Sequence, residues 1–451
     1  MKQKKIKQIF IIIKIFILLL TLSTCENNPT NPIIATHISL NHTTVQIQID
    51  ESITLIALLE PSSATNNEII WTSDNQDIAT VSANGVVTAI SKGYTTITAS
   101  LKQGGLTAKC SIISGYEHDI NYFTVYNSDQ WDYSVNIIKA LGNDRSYTID
   151  IFEDIEIDGV WQDEFTFGDV TGITVNINGK ATITRKSRDL LLSVGILQSV
   201  IINDLTLNGY YDDYNFSSFI VVVDGIDAIF TMQGNSVANH STAYNIWVRK
   251  GGCFYLKENA SVLHGFVGVF VSDSGTFYLQ DNATVSFTVS TGVVVNGGFF
   301  YMNGGEISMN RNIYRNGLVG GVAISKGQFI LSDGIINGNF ATNSGGVYIG
   351  ESGSFEMLGG IISGNRTLSH GGGVFVDRRG FFAMSGGIIY GNEESGSSIE
   401  LANSSAYIGA AIFVYNYHTN YGTAYYGDGT DILPHTDGYD DFTDYTVIGR
   451  R

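Results

Sequence analysis

Apolar positions in the second half of the chain recur in threes. Residues 346–365 read GVYIGESGSFEMLGGIISGN and residues 373–392 read GVFVDRRGFFAMSGGIIYGN, with Gly346 and Gly373 27 positions apart. Each copy holds three short apolar runs divided by glycine or polar turns. The first has Gly346–Ile349, Phe355–Met357 and Gly360–Asn365; the second has Gly373–Val376, Phe382–Met384 and Gly387–Asn392. The pattern continues upstream with slipping loop lengths. Gly268, Gly292 and Gly321 open the first run, Phe277, Phe300 and Phe329 the second, and Ile307 and Ile336 mark the third. Asn310, Asn339, Asn365 and Asn392 close it. Alternation over three or four residues is strand spacing, and runs this short cannot form a useful helix. A repeat of this length signals stacked units, none of which buries its apolar face alone.

With no helical segment between the strands, successive copies must stack in parallel, ~4.8 Å apart. The expected architecture is a parallel β-helix filled by Val, Ile, Phe and Leu. Glycine is expected in the turns because positive φ costs it nothing. The repeated Asn is expected to form a ladder, each amide bonding the next. Weaker copies extend the coil region to residues 146–427: roughly 11 coils, a rod on the order of 50 Å long. A charge placed at Val347 or Ile362 should collapse the stack locally. Residues 114–145 read as a linker and a helix, with Ser128 as cap and Trp131, Val135 and Ile138 on one face. That helix is expected to plug the open end of the β-helix.

Residues 34–113 show a different pattern. Val45–Ile49, Val86–Ile90 and Tyr94–Ala99 alternate with period two, and short strands lie between turn signals. This predicts a small β-sandwich. The block also resembles the group 2 bacterial immunoglobulin-like domain. The resemblance is carried by Leu59-Glu-Pro61, Ile70-Trp71-Thr-Ser73, Ile78-Ala-Thr-Val81, Asn84–Ile90 and Gly93 with Ile97-Thr-Ala99. It implies a surface protein in which such a domain acts as a spacer or part of an adhesin. Trp71 is expected as a core anchor and Cys110 as a small buried apolar residue. Residues 146–427 in turn resemble the right-handed β-helix, or pectin-lyase-like, fold. That resemblance implies either a polysaccharide lyase or hydrolase or a non-enzymatic surface protein, and fold alone does not choose. The fold class expected is thus all-β: an Ig-like sandwich, then a right-handed parallel β-helix with a short capping helix.

The start of the chain changes the picture of where this protein acts. Residues 1–7 are basic, and Ile9–Leu22 is apolar apart from Lys14. The run is short for a bilayer span and fits a secretory leader. It ends Leu22-Ser-Thr-Cys25, which resembles a bacterial lipobox. Residues 1–24 are therefore expected to be removed, Cys25 to carry lipid, and residues 25–33 to act as a tether. Of the other cysteines, Cys110 and Cys253 fall in different expected domains and should be unpaired. Formal net charge is −18. Removal of residues 1–24, with five lysines, leaves about −23. That balance repels nucleic acid and anionic lipid, so the membrane is expected to be reached through the lipid only.

Candidate chemistry is sparse. From Gly268 to Asn392 the acids are Asp273, Asp281, Glu306, Asp333, Glu351, Glu356 and Asp377, and no two recur at one place in successive coils. Asp377-Arg-Arg379 reads as a solvated loop, and His264 and His370 as turn or surface residues. No phosphate-loop, zinc-protease or serine-hydrolase motif occurs, so no catalytic residue, metal or cofactor is assigned. The acidic stretch 428–451, with Asp428, Asp431, Asp437, Asp440, Asp441 and Asp444, reads as a solvated cap lacking EF-hand spacing. Two aromatic groups are the candidate ligand contacts. Tyr210, Tyr211 and Tyr214 form one; Tyr415, Tyr417 and Tyr421 form the other, for which covering the last coil is the plainer reading. The function expected is a non-enzymatic display or adhesion lipoprotein binding a host matrix protein or glycan. A polysaccharide-cleaving enzyme and a passive coat are the alternatives.

Overall fold

The computed structural model describes residues 32–115, 120–187, 190–209, 218–313, 319–391, 402–406, 411–415, 423–426, 431–432, 439–441 and 447–448. The chain divides into two compact units, Met1–Glu117 and His118–Arg451. No helix among the described residues is long and apolar enough to cross a membrane.

In the first unit the period-two pattern becomes three small sheets. Thr44–Ile47, Thr107–Ser114, Gly93–Leu101 and Ile69–Ser73 form one, in that order. Ser52–Thr54, Val86–Ala89 and Ala79–Val81 form another, and His37–Leu40 pairs with Ala57–Glu60. Every second residue of Gly93–Leu101 is buried. The core gathers Val45, Ile47, Leu55, Val87, Ile97 and Ile112, with Trp71 packed against it as expected. Cys110 sits in that core, and burial pushes its thiol up to about 11. Gly85, at φ +78°, lets the turn pass under Trp71; a side chain there would strike the indole and the Leu55 carbonyl.

The second unit is a parallel β-solenoid of about ten turns. Its first regular element after Tyr122–Val125 is helix α1, Ser128–Leu141. The structure corrects its cap. Asn127, not Ser128, is extended and accepts the Gln130 N–H at 3.0 Å. Gln130 Oε1 in turn accepts the Tyr126 N–H at 2.7 Å, a reciprocal arrangement that fixes the chain entry. Trp131, Val135 and Ile138 are buried, as the spacing predicts, and α1 packs on Tyr122–Val125 and Ile155–Ile157, strands of the first turns.

Three columns of parallel strands make three faces. Face A stacks Val200, Phe230, Phe254, Phe277, Phe300, Phe329, Phe355 and Phe382 in register. The rings from Phe230 to Phe382 lie 4.5–5.5 Å apart, the spacing of neighbouring strands. Face B stacks Ile183, Leu207, Ala238, Val262, Val285, Ile307, Ile336, Ile362 and Ile389. Face C stacks Val221, Ile246, Val269, Val293, Val322, Val347, Val374 and Ile412. The residues of the expected triplets, Val347, Ile349, Phe355, Met357 and Ile362, are completely buried. Face by face, the last parallel strands meet antiparallel ones: Tyr439–Asp441, Asp431–Ile432 and Val447–Ile448. These occupy edges that would otherwise template pairing with another chain.

Two expectations about the repeat need refining. Positive φ does put glycine in the turns, at Gly338, Gly360, Gly364, Gly371 and Gly387, but the glycines that open each copy, Gly268, Gly292, Gly321, Gly346 and Gly373, are absent from the positive-φ residues. Close approach demands them instead. A Cβ on Gly268 would stand 2.5 Å from the Gly292 carbonyl, and one on Gly373 2.5 Å from that of Ala411. The Asn ladder exists, but its last rung differs. Asn310, Asn339 and Asn365 each donate to the next Asn carbonyl at 2.9–3.0 Å, and the acceptor for Asn365 is Asn403. Asn392, which keeps the sequence period, lies outside the described residues. A longer turn after Ile389 moves the ladder position 38 residues on from Asn365. Upstream, Thr288 Oγ1 ends the ladder at 2.8 Å from Asn310 Oδ1.

Candidate functional site

Side chains between the inward positions of face C point outward, and in its upper turns they are aromatic. Register places Val222, Trp247, Phe270 and Val294 in one outward column, with Phe219 beside Tyr244 one pleat earlier. Tyr244 and Phe270 stack at 4.5 Å and 14°. Trp247 lies 5.4 Å from Phe219 and 6.1 Å from Phe270. Val160, Leu190, Phe219 and Val222 form the buried floor on which half-buried Tyr244 and Trp247 rest. Burial raises the Tyr244 phenol above its ordinary value, so it stays a neutral donor.

A charged cluster borders the rings, because this strand ends Val248-Arg249-Lys250 and the strand above it ends at Asp224. Arg249 lies over the Trp247 ring at 4.3 Å and reaches Asp224 at 2.8 Å. Lys250 reaches the same carboxylate oxygen at 3.0 Å but remains well exposed. Trp247 Nε1 donates to Ser272 Oγ at 3.1 Å, and Ser272 donates to Asp273 at 3.2 Å. Trp247 is thereby held in one orientation. The result is a flat apolar platform with oriented polar groups at its rim, the usual make-up of a small-molecule or saccharide contact. A second outward aromatic group, Tyr348, Phe375 and Phe413, recurs lower on face C, with His370 4.6 Å from Phe413.

The residues singled out from sequence are not those of the platform. Tyr210, Tyr211, Tyr214, Tyr417, Tyr421 and Cys25 lie outside the described residues. Tyr415 ends a face C strand and pairs with Tyr439, but its side chain is also outside them. The Asp377 loop is tied down rather than simply solvated. Asp377 accepts from the Tyr348 hydroxyl and the Arg378 N–H, and Arg379 bridges Glu351 at 2.7 Å. His264 occupies an exposed turn, as expected, yet it is not isolated: its ring stacks between His240 and Phe287. Among the described residues, no three His, Cys, Asp or Glu side chains are grouped to hold a metal ion. The face C platform was missed because Ile246-Trp-Val248 reads as one more apolar strand. The available signal was parity: Trp247 sits at the outward position, Phe270 repeats it one coil later, and a cation pair follows.

Comparison with known proteins identifies residues 34–112 as a bacterial Ig-like domain (group 2), which the solenoid follows in the chain. Stretches of the chain are similar to three curated proteins. An uncharacterized protein of Clostridium acetobutylicum is 31% identical over 116 residues, 24% of this chain and 12% of that protein. A kappa-carrageenase of Pseudoalteromonas carrageenovora is 42% identical over 62 residues, 14% of this chain and 16% of the enzyme. An alpha-L-arabinofuranosidase of Bifidobacterium longum subsp. longum is 34% identical over 62 residues, 14% of this chain and 6% of the enzyme. The chain thus spans a small part of each relative, and none of these stretches is long enough to cover the solenoid.

Proposed function

We propose that this chain is an exported, surface-displayed binding protein, held to a membrane by lipid on Cys25, whose face C platform contacts glycan. The group 2 Ig-like domain supports placement outside the cell. The observation that carries the reading is the outward group Tyr244, Trp247 and Phe270 with Arg249 and Asp224 fixed at its edge. Rings ordered by packing lose little entropy on binding, and an ion pair at the rim gives direction to sugar hydroxyls. A glycan array followed by calorimetry on the hit tests it. Trp247→Ala should weaken binding by about 2 kcal/mol, roughly 30-fold, with the unfolding midpoint measured alongside to separate lost binding from lost packing. Undiminished binding in that variant would remove the platform from the account. Lipid on Cys25 is read by metabolic fatty-acid labelling, which Cys25→Ser should abolish.

The second reading, a polysaccharide-cleaving enzyme, draws support from the partial similarity to kappa-carrageenase and alpha-L-arabinofuranosidase. Release of unsaturated or reducing sugars from a polysaccharide panel would favour it.

A further inference from the structure

The turn that leads from face B to face C carries chemistry of its own. Among the described residues its segments over successive coils are 240–243, 264–266, 287–292, 309–313, 319–321, 338–346 and 364–373. Not one Asp or Glu occurs in them, in a chain of net charge −18, while Arg311, Arg366 and three histidines do; the chain linking faces B and C before and after this stretch, 209–218 and 390–411, carries Asp212, Asp213, Glu393, Glu394 and Glu400. Carboxylates border the other two turns instead, as with Asp204, Glu258 and Asp281 on one and Asp224, Asp273 and Glu351 on the other. Charges more than a Debye length away, ~8 Å in physiological salt, are largely screened. The local sign around Arg311, several coils from those acids, is therefore positive.

The same edge opens a cleft of about 690 Å³, whose lining includes His264, Phe287, Val289, Met309, Arg311 and Ile313. Phe287, Val289, Met309 and Ile313 are all at least half exposed. Backbone geometry shows that this exposure is built in. His240, His264, Phe287 and Met309 share the left-handed position at φ +50 to +63°, and the next two coils place Gly338 and Gly364 there. The left-handed region is unfavourable for bulky side chains. Where glycine would serve, the chain holds a Phe and a Met that project from the edge.

Beside the cleft runs a narrow ladder with a repeated motif. Arg311 bridges Phe340, Phe340–Ala341 pairs with Arg366–Thr367, and that pairs with Ser404–Ser405. In Arg311-Asn312-Ile313 the middle residue is buried and the outer two are exposed. Arg366-Thr367-Leu368 repeats the pattern two coils on, with Leu368 56% exposed. Phe340 stands between, and Arg311 lies 5.4 Å over its ring. Each copy thus offers a cation and an aliphatic group two residues apart, ~6.6 Å along an extended strand. An extended polypeptide presents same-side residues at that same interval. Branched aliphatic chains and Met grip aliphatic side chains and offer no flat ring for a sugar.

We infer that the cleft and ladder between faces B and C bind an extended segment of a partner protein in which an acidic and an aliphatic residue stand two apart, on one side of the strand. Carboxylates pair with Arg311 and Arg366 by charge-assisted hydrogen bonds; aliphatic groups enter between Phe287, Met309, Ile313 and Leu368. This surface is separate from the face C platform and does not depend on it.

The test uses the full chain and a fluorescein-labelled peptide repeating Glu-Ser-Leu-Ser, read by fluorescence polarisation. Saturable binding is expected, with the lysine–leucine counterpart, repeating Lys-Ser-Leu-Ser, at least tenfold weaker. Arg311→Glu with Arg366→Glu should weaken binding at least tenfold, Arg366→Lys less than threefold, and Trp247→Ala not at all. Ile313→Asp should weaken it at least tenfold, which a purely electrostatic contact would not show. The unfolding midpoint of each variant separates lost binding from lost fold. Equal binding of the lysine–leucine peptide, or binding indifferent to the arginine charge, overturns the inference. So does a sulfated oligosaccharide that occupies the cleft when the peptide does not.

Discussion

Asn339 shows how much one side chain can carry. Its amide donates to Asn365 Oδ1 and the Ile307 carbonyl, both at 2.9 Å, and its oxygen receives the Asn310 backbone and side-chain N–H groups. All of this is buried. Removing one member of a buried network strands its partners, at ~1–3 kcal/mol for each unsatisfied group. Asn339→Ala should therefore destabilise the solenoid by about 3 kcal/mol or more, read as a lower urea midpoint. His240 makes a pH prediction. Burial and the nearby His264 hold its pKa below the ordinary 6.5. In the unfolded chain it takes a proton as pH falls through that value, while the folded chain resists. Its stability contribution is present above about 6.5 and is lost as pH falls toward the lower folded value. Thermal unfolding should show a smaller acid-side decline in His240→Asn, a residue that tolerates the same left-handed backbone. An unchanged pH slope would contradict this.

At the scale of elements, the apolar triplets were legible because each obeys strand parity, and the structure stacks them as that parity requires. Legibility ended where a contact is not periodic. Asn403 holds the rung that the period assigns to Asn392, since sequence period cannot report a longer turn. Glycine was read as a turn former, yet Gly346 is needed because a side chain would meet the Gly373 carbonyl. Trp247 is hard to single out because outward and inward faces differ only by one residue. The stack also predicts how damage spreads. Phe300→Ala removes a ring that touches Phe277 and Phe329, at 4.8 and 4.5 Å, and should cost ~3–5 kcal/mol. Coils in a solenoid contact only their neighbours. Hydrogen exchange should accelerate first in residues 276–337, with residues 173–207 keeping their protection. Uniform loss of protection would contradict that picture.

For the whole molecule, composition and pattern conveyed the class of each unit: a half-buried alternation over residues 34–113 and triplets beyond. What the chain binds was not legible, because the proposed binding surface uses outward positions of strands whose inward positions dominate the pattern. Spread over a rigid solenoid, such positions make a display surface that requires no rearrangement, and both proposed contacts lie on it. The central claim, that this surface holds a glycan without altering it, is tested most directly in one incubation. The wild-type chain is mixed with the polysaccharide selected on the array, and bound chain and reducing ends are measured together over time. The account predicts saturable retention, its loss in Trp247→Ala, and a constant count of reducing ends. A steady rise in reducing or unsaturated ends with the wild-type chain would contradict it.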